Sequence, residues 1–542
     1  MAALPSPLRA LRAGKLGLGA PTSRRWALGV GWLTVVAAAL RLITLGGPSM
    51  WFDEAVTLWL VRLDLGAMLA QIPVSESTPP LFYLVAWGWG RVFGTGLLGI
   101  RALSALAGIA TVPVTYAVGA RLASRRVGLA AAALVAVSPV LVWHGQDARA
   151  YSLLVLLSAL SLLAFARARE DPTPRRLAAW ALAAVLALCT HYFAAFLVAG
   201  EAAWLVVRTV PRRNAHAASG VVLLCAVALL PLAVRQRAHG GASWLSERPL
   251  GARFGDLWPH FLAGYGAAPG PLASYEVGAP PALTIAAAAL AAAALALALA
   301  TVVEPREPAA LVLALALGLA SVALPLVLAL AGFDYVFTRN LLPAWLPLAL
   351  VVALGVGSPR AGRAGALVGV GLCLVLAAIT VSAAASPRFG PQSWQRVARA
   401  LGGPLGARVV LAPASIAMPL ALERPGLATL PAAGARVKEI VVLRRGSTSR
   451  RTPFHGFRLV RKHLADGAFT LFRFRSARAR VVTPEALLGD DPVRRRRSAI
   501  LLAPPVPAPR RSPPTLRFCR PAPGDTRIRP SIRTPCSISY PD

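Results

Sequence analysis

Acidic side chains are scarce in this chain of 542 residues: 22 Asp and Glu stand against 57 Lys and Arg. Charged residues of both signs make up only 15% of the total, and hydrophobic residues 56%. With a mean hydropathy of +0.61, this excludes an ordinary soluble globule, in which about 25% of residues are charged. Cysteine is also rare. Of the five present, Cys189, Cys225 and Cys373 lie in apolar stretches as small hydrophobes, and Cys519 and Cys536 lie near the C-terminus. The absence of any Cys-x-x-Cys or mixed Cys/His spacing excludes a zinc ribbon or redox centre. The formal charge of +35 invites a nucleic-acid reading. However, the arginines sit in short loops and in the last quarter of the chain, not along an amphipathic face with stacking aromatics, so no nucleic-acid partner is expected.

What the chain has is a series of long apolar runs. They recur near 26–45, 97–118, 127–143, 151–166, 177–190, 193–207, 218–234, 281–303, 309–331, 341–357 and 364–384. This predicts a polytopic α-helical membrane protein with about eleven transmembrane helices. Arg9, Arg12, Lys15, Arg24 and Arg25 precede the first run. That run is long enough to span, so residues 1–25 read as a cytoplasmic basic N-terminus before a retained signal anchor in the plasma membrane.

Loop charges alternate as such a topology requires. Arg121, Arg125 and Arg126, then Arg167 to Arg176, then Arg208, Arg212 and Arg213, then Arg360 and Arg363 share the N-terminal side, with the Glu304-Pro305-Arg306-Glu307 loop the weak member of that set. The opposite side collects the unusual polar clusters: Asp53-Glu54, Gln146-Asp147-Ala148-Arg149, Thr190-His191-Tyr192, the segment 236–280, and Phe333-Asp334-Tyr335. An odd number of spans carries residues 385–475 to the same side. There a short helix from Trp394 and strand-like stretches at Val409-Val410-Leu411, Ile440 to Leu443 and Phe469 to Phe474 predict a small extracytoplasmic α/β domain. Fifteen arginines and many prolines follow from Arg473 to the end. Residues 476–542 are accordingly expected to be a disordered, dispensable tail.

The outer loop 46–96 is too apolar to be a plain linker. Residues 81–93 are too short to span, and their Trp and Tyr suit an interfacial helix, entered by the turn at Thr78-Pro79-Pro80. At the head of this loop, Trp51-Phe52-Asp53-Glu54 places two carboxylates beside a bilayer, where desolvation is costly. Two readings apply: Asp53 caps a short helix whose positive end suits both acids, or the pair marks a reaction site.

Several short motifs recur in order. Trp51-Phe52-Asp53-Glu54-Ala55, Pro79-Pro80-Leu81-Phe82-Tyr83, Arg101-Ala102-Leu103-Ser104, Gln146-Asp147-Ala148-Arg149-Ala150-Tyr151-Ser152 and His191-Tyr192-Phe193 together resemble the family 39 glycosyltransferases of the GT-C fold. These are relatives of protein O-mannosyltransferases and of the aminoarabinose transferases acting on lipid A. With Arg339-Asn340-Leu341-Leu342-Pro343 and the Trp394 helix, the resemblance covers roughly residues 26–475, the GT-C transmembrane catalytic domain being 26–384. One departure is Thr78, where many members carry His or Asp, and it bears on an acceptor contact.

The resemblance implies transfer of a sugar from a polyprenyl-phosphate carrier to a hydroxyl acceptor (protein, lipid or glycan) on the outer face, with inversion. Such a leaving group departs as a stable anion, so the chemistry asks for one base and for cations on the phosphate. The catalytic pair is Asp53, as base, and Glu54, as a positioning residue; adjacent helical side chains point about 100° apart and share one proton poorly. Substrate-binding candidates are Asp147, Arg149, Arg339, His191, Tyr192 and Thr78. Arg339 suits a phosphate through its planar fork. For Asp147 and Arg149, a salt bridge closing their turn competes with a substrate role, and for His191 and Tyr192 a buried polar pair between spans does. Arg41 is expected to snorkel to the headgroups. A divalent cation between Asp53 and Asp147 would rest on two carboxylates alone. A secondary transporter is the rival class, but it would hold its ionisable groups near the midplane on repeated, broken helices. A non-catalytic membrane scaffold would have no use for Asp53.

The charge alternation yields a topological prediction. Single cysteines placed near Asp53, Gln146 and Trp394 should react with an impermeant reagent in intact cells, while those near Arg125 and Arg212 should not. Labelling at 125 but not at 394 would invert the arrangement.

Overall fold

The computed structural model describes residues 21–47, 50–210, 212–239, 245, 248–264, 279–302, 307–385, 394–402, 407–424, 426–445, 454–466, 469–488, 498–503, 515–517 and 537–539. The N-terminal arginines up to residue 20, positions 304–306 and most of the expected tail lie outside them.

In chain order the helices are α1 (Pro21–Leu42), α2 (Phe52–Arg62), α3 (Leu65–Ser75), α4 (Leu81–Phe93), α5 (Leu97–Leu122), α6 (Arg125–Val137), α7 (Pro139–Gly145) and α8 (Tyr151–Glu170). There follow α9 (Pro174–Thr190), α10 (Ala194–Arg208), α11 (Arg212–Ala238), α12 (Leu250–Ala263), α13 (Pro281–Thr301), α14 (Glu307–Leu330), α15 (Leu342–Gly357) and α16 (Gly362–Ala385). The last part holds α17 (Trp394–Ala400), β1 (Arg408–Pro413), α18 (Ala414–Glu423), β2 (Ala428–Thr429), β3 (Ala435–Arg445), β4 (Arg458–Asp466), β5 (Phe469–Val482), α19 (Pro484–Leu488), β6 (Ser498–Ala503), β7 (Thr515–Arg517) and β8 (Ser537–Ser539).

The chain has the mostly helical architecture of a multi-span membrane protein. Among the described residues eight helices are long and apolar enough to cross a bilayer, or nine if α6 and α7 form one bent span. The expectation of about eleven differs at α9 and α10, which occupy two of the predicted runs. Their 17 and 15 residues rise only ~26 and ~23 Å against a hydrocarbon core of ~30 Å. The loops expected on one side nevertheless meet. Arg121 pairs with Glu170, and Ser358 bonds Thr301 and Glu307. At the other end, Asp53, Asp147, Arg149 and Arg339 gather.

The α6–α7 break shows how the sequence bends its own helix. Pro139 has no N–H to donate, the two segments meet at 59°, and Ser138 Oγ accepts from Leu141 N at the new start. The carbonyls this leaves at Val135 and Ala136 accept from the Arg41 guanidinium at 3.0 Å each. Arg41 is fully buried and therefore does not snorkel; unsatisfied carbonyls at a helix C-terminus stand closer to it than any headgroup. Small residues then bring the spans close. A Cβ on Gly128 would lie 2.5 Å from the Tyr116 carbonyl of α5, and one on Gly355 of α15 would lie 1.9 Å from that of Ala294 in α13.

Beyond α16 a mixed six-stranded sheet forms, in the order β2-β6-β1-β3-β5-β4, with β1 and β3 parallel and the other pairs antiparallel. Alternation gives the sheet two apolar faces. Val409, Ile440, Phe472, Phe474 and Ile500 pack on one. Val410, Val441, Leu471 and Leu501 pack on the other, in one cluster with α17, α18, the inner sides of α2, α3 and α4, and Ala148. The sheet and the acidic loop after α1 therefore share a core, at the same end of the helical bundle.

The expected domain end at 475 falls inside β5, and β6 draws Ser498–Ala503, from the stretch expected to be disordered, into the sheet beside β1. A short apolar run, Ala499-Ile500-Leu501-Leu502, was hidden among arginines and prolines, and only its pairing partner makes it a strand. Because burying an aliphatic side chain contributes about 1.5–3 kcal/mol, truncation after Ser476 is predicted to lower the thermal unfolding temperature by several degrees. Truncation after Ala503 should lower it less. Equal unfolding temperatures for the two truncated proteins and the full chain would remove β6 from the domain.

Candidate active site

The site is built on the first turn of α2. Trp51 precedes the helix in extended conformation, so Asp53 and Glu54 are its second and third residues, where carboxylates meet the positive end of the helix dipole. Glu54 turns inward. Its two oxygens accept from Arg101 Nε and Nη2 at 2.6 Å each, from Ala148 N at 2.9 Å and from Trp51 N at 3.3 Å. The side chains of both Glu54 and Arg101 are 2% exposed or less. Arg101 further donates to the Leu45 carbonyl at 3.0 Å. With its lone pairs occupied, Glu54 holds parts of the loop together and offers no oxygen to a substrate.

Asp53, one residue earlier, faces elsewhere. Its Oδ2 accepts from Arg339 Nη1 at 3.0 Å, and the two side chains are 23% and 14% exposed, so this pair is reached by solvent where the Glu54–Arg101 pair is not. The Arg339 guanidinium lies among the rings of Trp51, Tyr151 and Phe337, 5.4–5.7 Å from each centroid. Ring faces at this distance attract the cation without using its hydrogen-bond donors.

Of the remaining predicted residues, Asp147, Arg149 and His191 lie near this pair, while Tyr192 and Thr78 are tied to each other instead, several with partners the sequence did not indicate. Arg149 bonds both oxygens of Glu76 at 2.8 and 3.0 Å, the Asp53 carbonyl and Thr57. It forms its salt bridge with Glu76, not with the adjacent Asp147, and its buried fork is turned to protein rather than to an open face. Asp147 accepts from the Trp51 indole at 3.0 Å, with His144 Nδ1 3.7 Å away. His191 is buried, and burial together with the charges of Arg339 and Arg149 lowers its pKa to about 3. It is therefore a neutral imidazole at pH 7. Its Nδ1 accepts from Phe193 N, which puts the proton on Nε2. Tyr192 and Thr78 meet through a residue sequence reasoning passed over: Gln236 accepts from the Tyr192 hydroxyl at 2.8 Å and donates to the Thr78 carbonyl at 2.9 Å. The Thr78 hydroxyl lies 3.3 Å from that of Tyr83.

Glu76 and Arg101 were the other omissions. Arg101 had been noted only as part of a motif, and Glu76, in a chain with so few acids, carried the signal of any carboxylate in an apolar loop. Among the described residues no group of three His, Cys, Asp or Glu side chains comes together as a metal site. Asp53 and Asp147 are each turned to an N–H donor, and the Arg339 charge beside Asp53 opposes a second cation there. As it stands, the cluster offers one solvent-reached carboxylate, one aromatic-framed guanidinium and one neutral imidazole.

Comparison with known proteins bears on the same residues. Residues 77–234 match the family described as dolichyl-phosphate-mannose-protein mannosyltransferase, a stretch that includes Arg101, Asp147, Arg149, His191 and Tyr192. Similar solved structures include the apo oligosaccharyltransferase of Archaeoglobus fulgidus, with 10% identity over 69% of this chain and 57% of that one and a TM-score of 0.43. ArnT from Cupriavidus metallidurans bound to undecaprenyl phosphate shows 15% identity over 84% and 98%, with a TM-score of 0.39. The protein O-mannosyltransferase Pmt1-Pmt2 complex of S. cerevisiae bound to the sugar donor shows 18% identity over 43% and 34%, with a TM-score of 0.30. The chain thus spans little more than half the length of the archaeal enzyme. Comparison with curated proteins finds no match.

The geometry separates the two neighbouring carboxylates by their effect on stability. Glu54→Gln leaves the Arg101 charge buried without its partner, which costs about 3–5 kcal/mol, so the variant should unfold well below the wild type. Asp53→Asn, at a solvent-reached pair worth about 1 kcal/mol or less, should unfold near it. Thermal unfolding in detergent measures both, and equal stabilities for the two variants would contradict the assignment.

Proposed function

We propose that this protein is an integral-membrane glycosyltransferase that moves a sugar from a polyprenyl-phosphate carrier to a hydroxyl acceptor on the extracytoplasmic face of the plasma membrane, with inversion at the anomeric carbon. The single observation that supports it best is the Asp53–Arg339 pair, a carboxylate and a guanidinium in contact at the end of the helical bundle where the loops carrying Trp51, Asp147 and Arg149 also meet. The family match over 77–234 adds to that support.

In this reading Arg339 takes the donor phosphate, which matches its fork and spreads the charge developing on the leaving oxygen. A sugar cannot sit between Asp53 and Arg339 while they are 3.0 Å apart. Donor binding therefore exchanges partners: phosphate replaces Asp53 on Arg339, and the freed carboxylate accepts the proton of the acceptor hydroxyl as that oxygen attacks the anomeric carbon. The carbon–oxygen bond to phosphate breaks, and the polyprenyl phosphate leaves as an anion that needs no proton. One base suffices, unlike the facing pair of carboxylates a glycosidase uses. Glu54 and Arg149 keep the loop in shape, and Asp147 sets the Trp51 indole against Arg339. In the same reading His191, close to the Arg339 charge, meets a hydroxyl of the sugar or acceptor, and Thr78 is kept as an acceptor-side contact.

The test is kinetic, on a panel of labelled polyprenyl-phosphate sugars. Asp53→Asn should lower turnover by roughly 100-fold or more, the usual range for loss of a general base, while undecaprenyl phosphate still binds. Arg339→Lys should weaken that binding, since the charge stays but the fork is lost. Near-normal turnover by folded Asp53→Asn protein would return Asp53 to the role of a helix-start residue.

A further inference from the structure

Arg339 lies in the connection between α14 and α15, which has no regular hydrogen-bond ladder before the 3-10 turn at Thr338–Leu341. A backbone of this kind inside a protein needs outside partners for its polar groups. Arg237 of α11 serves the Gly332 carbonyl and Asn340 that of Tyr335, while α12 holds the Val336 carbonyl and two side chains of the connection. Arg253 bonds both carboxylate oxygens of Asp334 and the main-chain carbonyl of Val336, and is itself steadied by the Arg248 carbonyl. One and a half to two turns further on, His260 Nδ1 and Thr338 Oγ1 lie 3.0 Å apart. Arg339 is the next residue. From the α12 side the connection is thus gripped at 334, 336 and 338, immediately before the guanidinium that meets Asp53.

The grip comes from one side of an amphipathic helix. Arg253, Leu257, His260 and Phe261 are buried, a spacing that puts them on a single face. Trp258, on the other face, is 42% exposed, as suits an aromatic at headgroup depth. The two gripping side chains are respectively 3% and 0% exposed. A bidentate ion pair with an added main-chain bond is a costly way to fix a surface turn, and a stiff way to fix the direction of the residue that follows.

We propose that α12 is a positioning clamp for the donor site, with Arg253 acting through Asp334 and Val336, and His260 through Thr338, to hold Arg339 where it reaches both Asp53 and an incoming phosphate. The proposal rests on the glycosyltransferase reading for the identity of that phosphate. It adds a residue, Arg253, and an element that touch no substrate themselves. Displacements of the order of 1 Å at such a distance are enough to cost about 100-fold in a positioned site.

The probe is undecaprenyl phosphate, binding to the purified full-length chain in detergent, measured for the wild type, Arg253→Met, Arg253→Lys, Arg339→Met and the Arg253→Met/Arg339→Met double variant. Arg253→Met should weaken binding by about 10-fold in the wild-type background and not at all once Arg339 is gone, the non-additivity expected of residues that act through one another. Arg253→Lys should not restore it, because the fork and not the charge is used. Should Arg253→Met fail to fold, His260→Phe keeps a ring in the buried position, removes the Thr338 contact and is judged by the same criterion. Unchanged affinity in a folded variant, or an equal loss with and without Arg339, would overturn the clamp. If the wild type binds no undecaprenyl phosphate, the donor reading fails instead. The clamp is then decided by thermal unfolding of the wild type, Arg253→Met, Arg339→Met and the double variant, where additive effects of the Arg253 and Arg339 substitutions would overturn it.

Discussion

The buried pair of Glu54 and Arg101 is the interaction on which this end of the helical bundle depends. Neither charge would be tolerated alone in a position closed to water, and breaking such a pair costs about 3–5 kcal/mol. Together they join the first turn of α2, the first turns of α5, the Leu45 carbonyl beyond α1 and the Ala148 amide. Four pieces of chain distant in sequence are thereby held to one point. Helix geometry does the rest: with Glu54 pinned inward, its neighbour is rotated by about 100°, and Asp53 is delivered to Arg339. The residue that stabilises the loop also aims the residue assigned to chemistry.

Acid scarcity gives this arrangement its logic. In a chain with 22 acidic and 57 basic residues, four carboxylates at this end each meet their own arginine, Glu54 with Arg101, Glu76 with Arg149, Asp334 with Arg253 and Asp53 with Arg339, while Asp147 accepts from the Trp51 indole. The first two pairs have both members buried, which suits fixed architecture. In the Asp53–Arg339 pair both members are reached by solvent, so another anion can take the place of the carboxylate. Arg253 lies between these types, buried itself while its partner Asp334 is 32% exposed, and it connects the amphipathic helix α12 to the solvent-reached pair.

Much of the bundle was readable from composition and periodicity, because a spanning helix must satisfy its own backbone and show apolar side chains to lipid, so its signal is local. The acidic pair was readable for the same reason, as an anomaly against an apolar background. The shortfall lay in features that depend on partners. The break at Ser138-Pro139 had a visible proline, yet the use of Arg41 to satisfy the carbonyls it frees was not visible, since nothing local relates residues 41 and 135. Arg149 stood two residues from Asp147 and paired instead with Glu76. The strand Ser498–Ala503 was concealed by its arginine-rich flanks and became a strand only beside β1.

The sequence by itself determined that the chain lives in a membrane, which loops share a side, and that Asp53, Asp147, His191 and Arg339 belong to one end of the bundle. These are consequences of hydropathy and charge, which act residue by residue along the chain. Tertiary structure alone decided which arginine each carboxylate meets, and hence that Glu54 is closed off while Asp53 stays within reach of a ligand. An ion pair is a contact between two positions, here as much as 286 residues apart, and its strength depends on the water around it. Both separation in space and burial are set only when the helices pack.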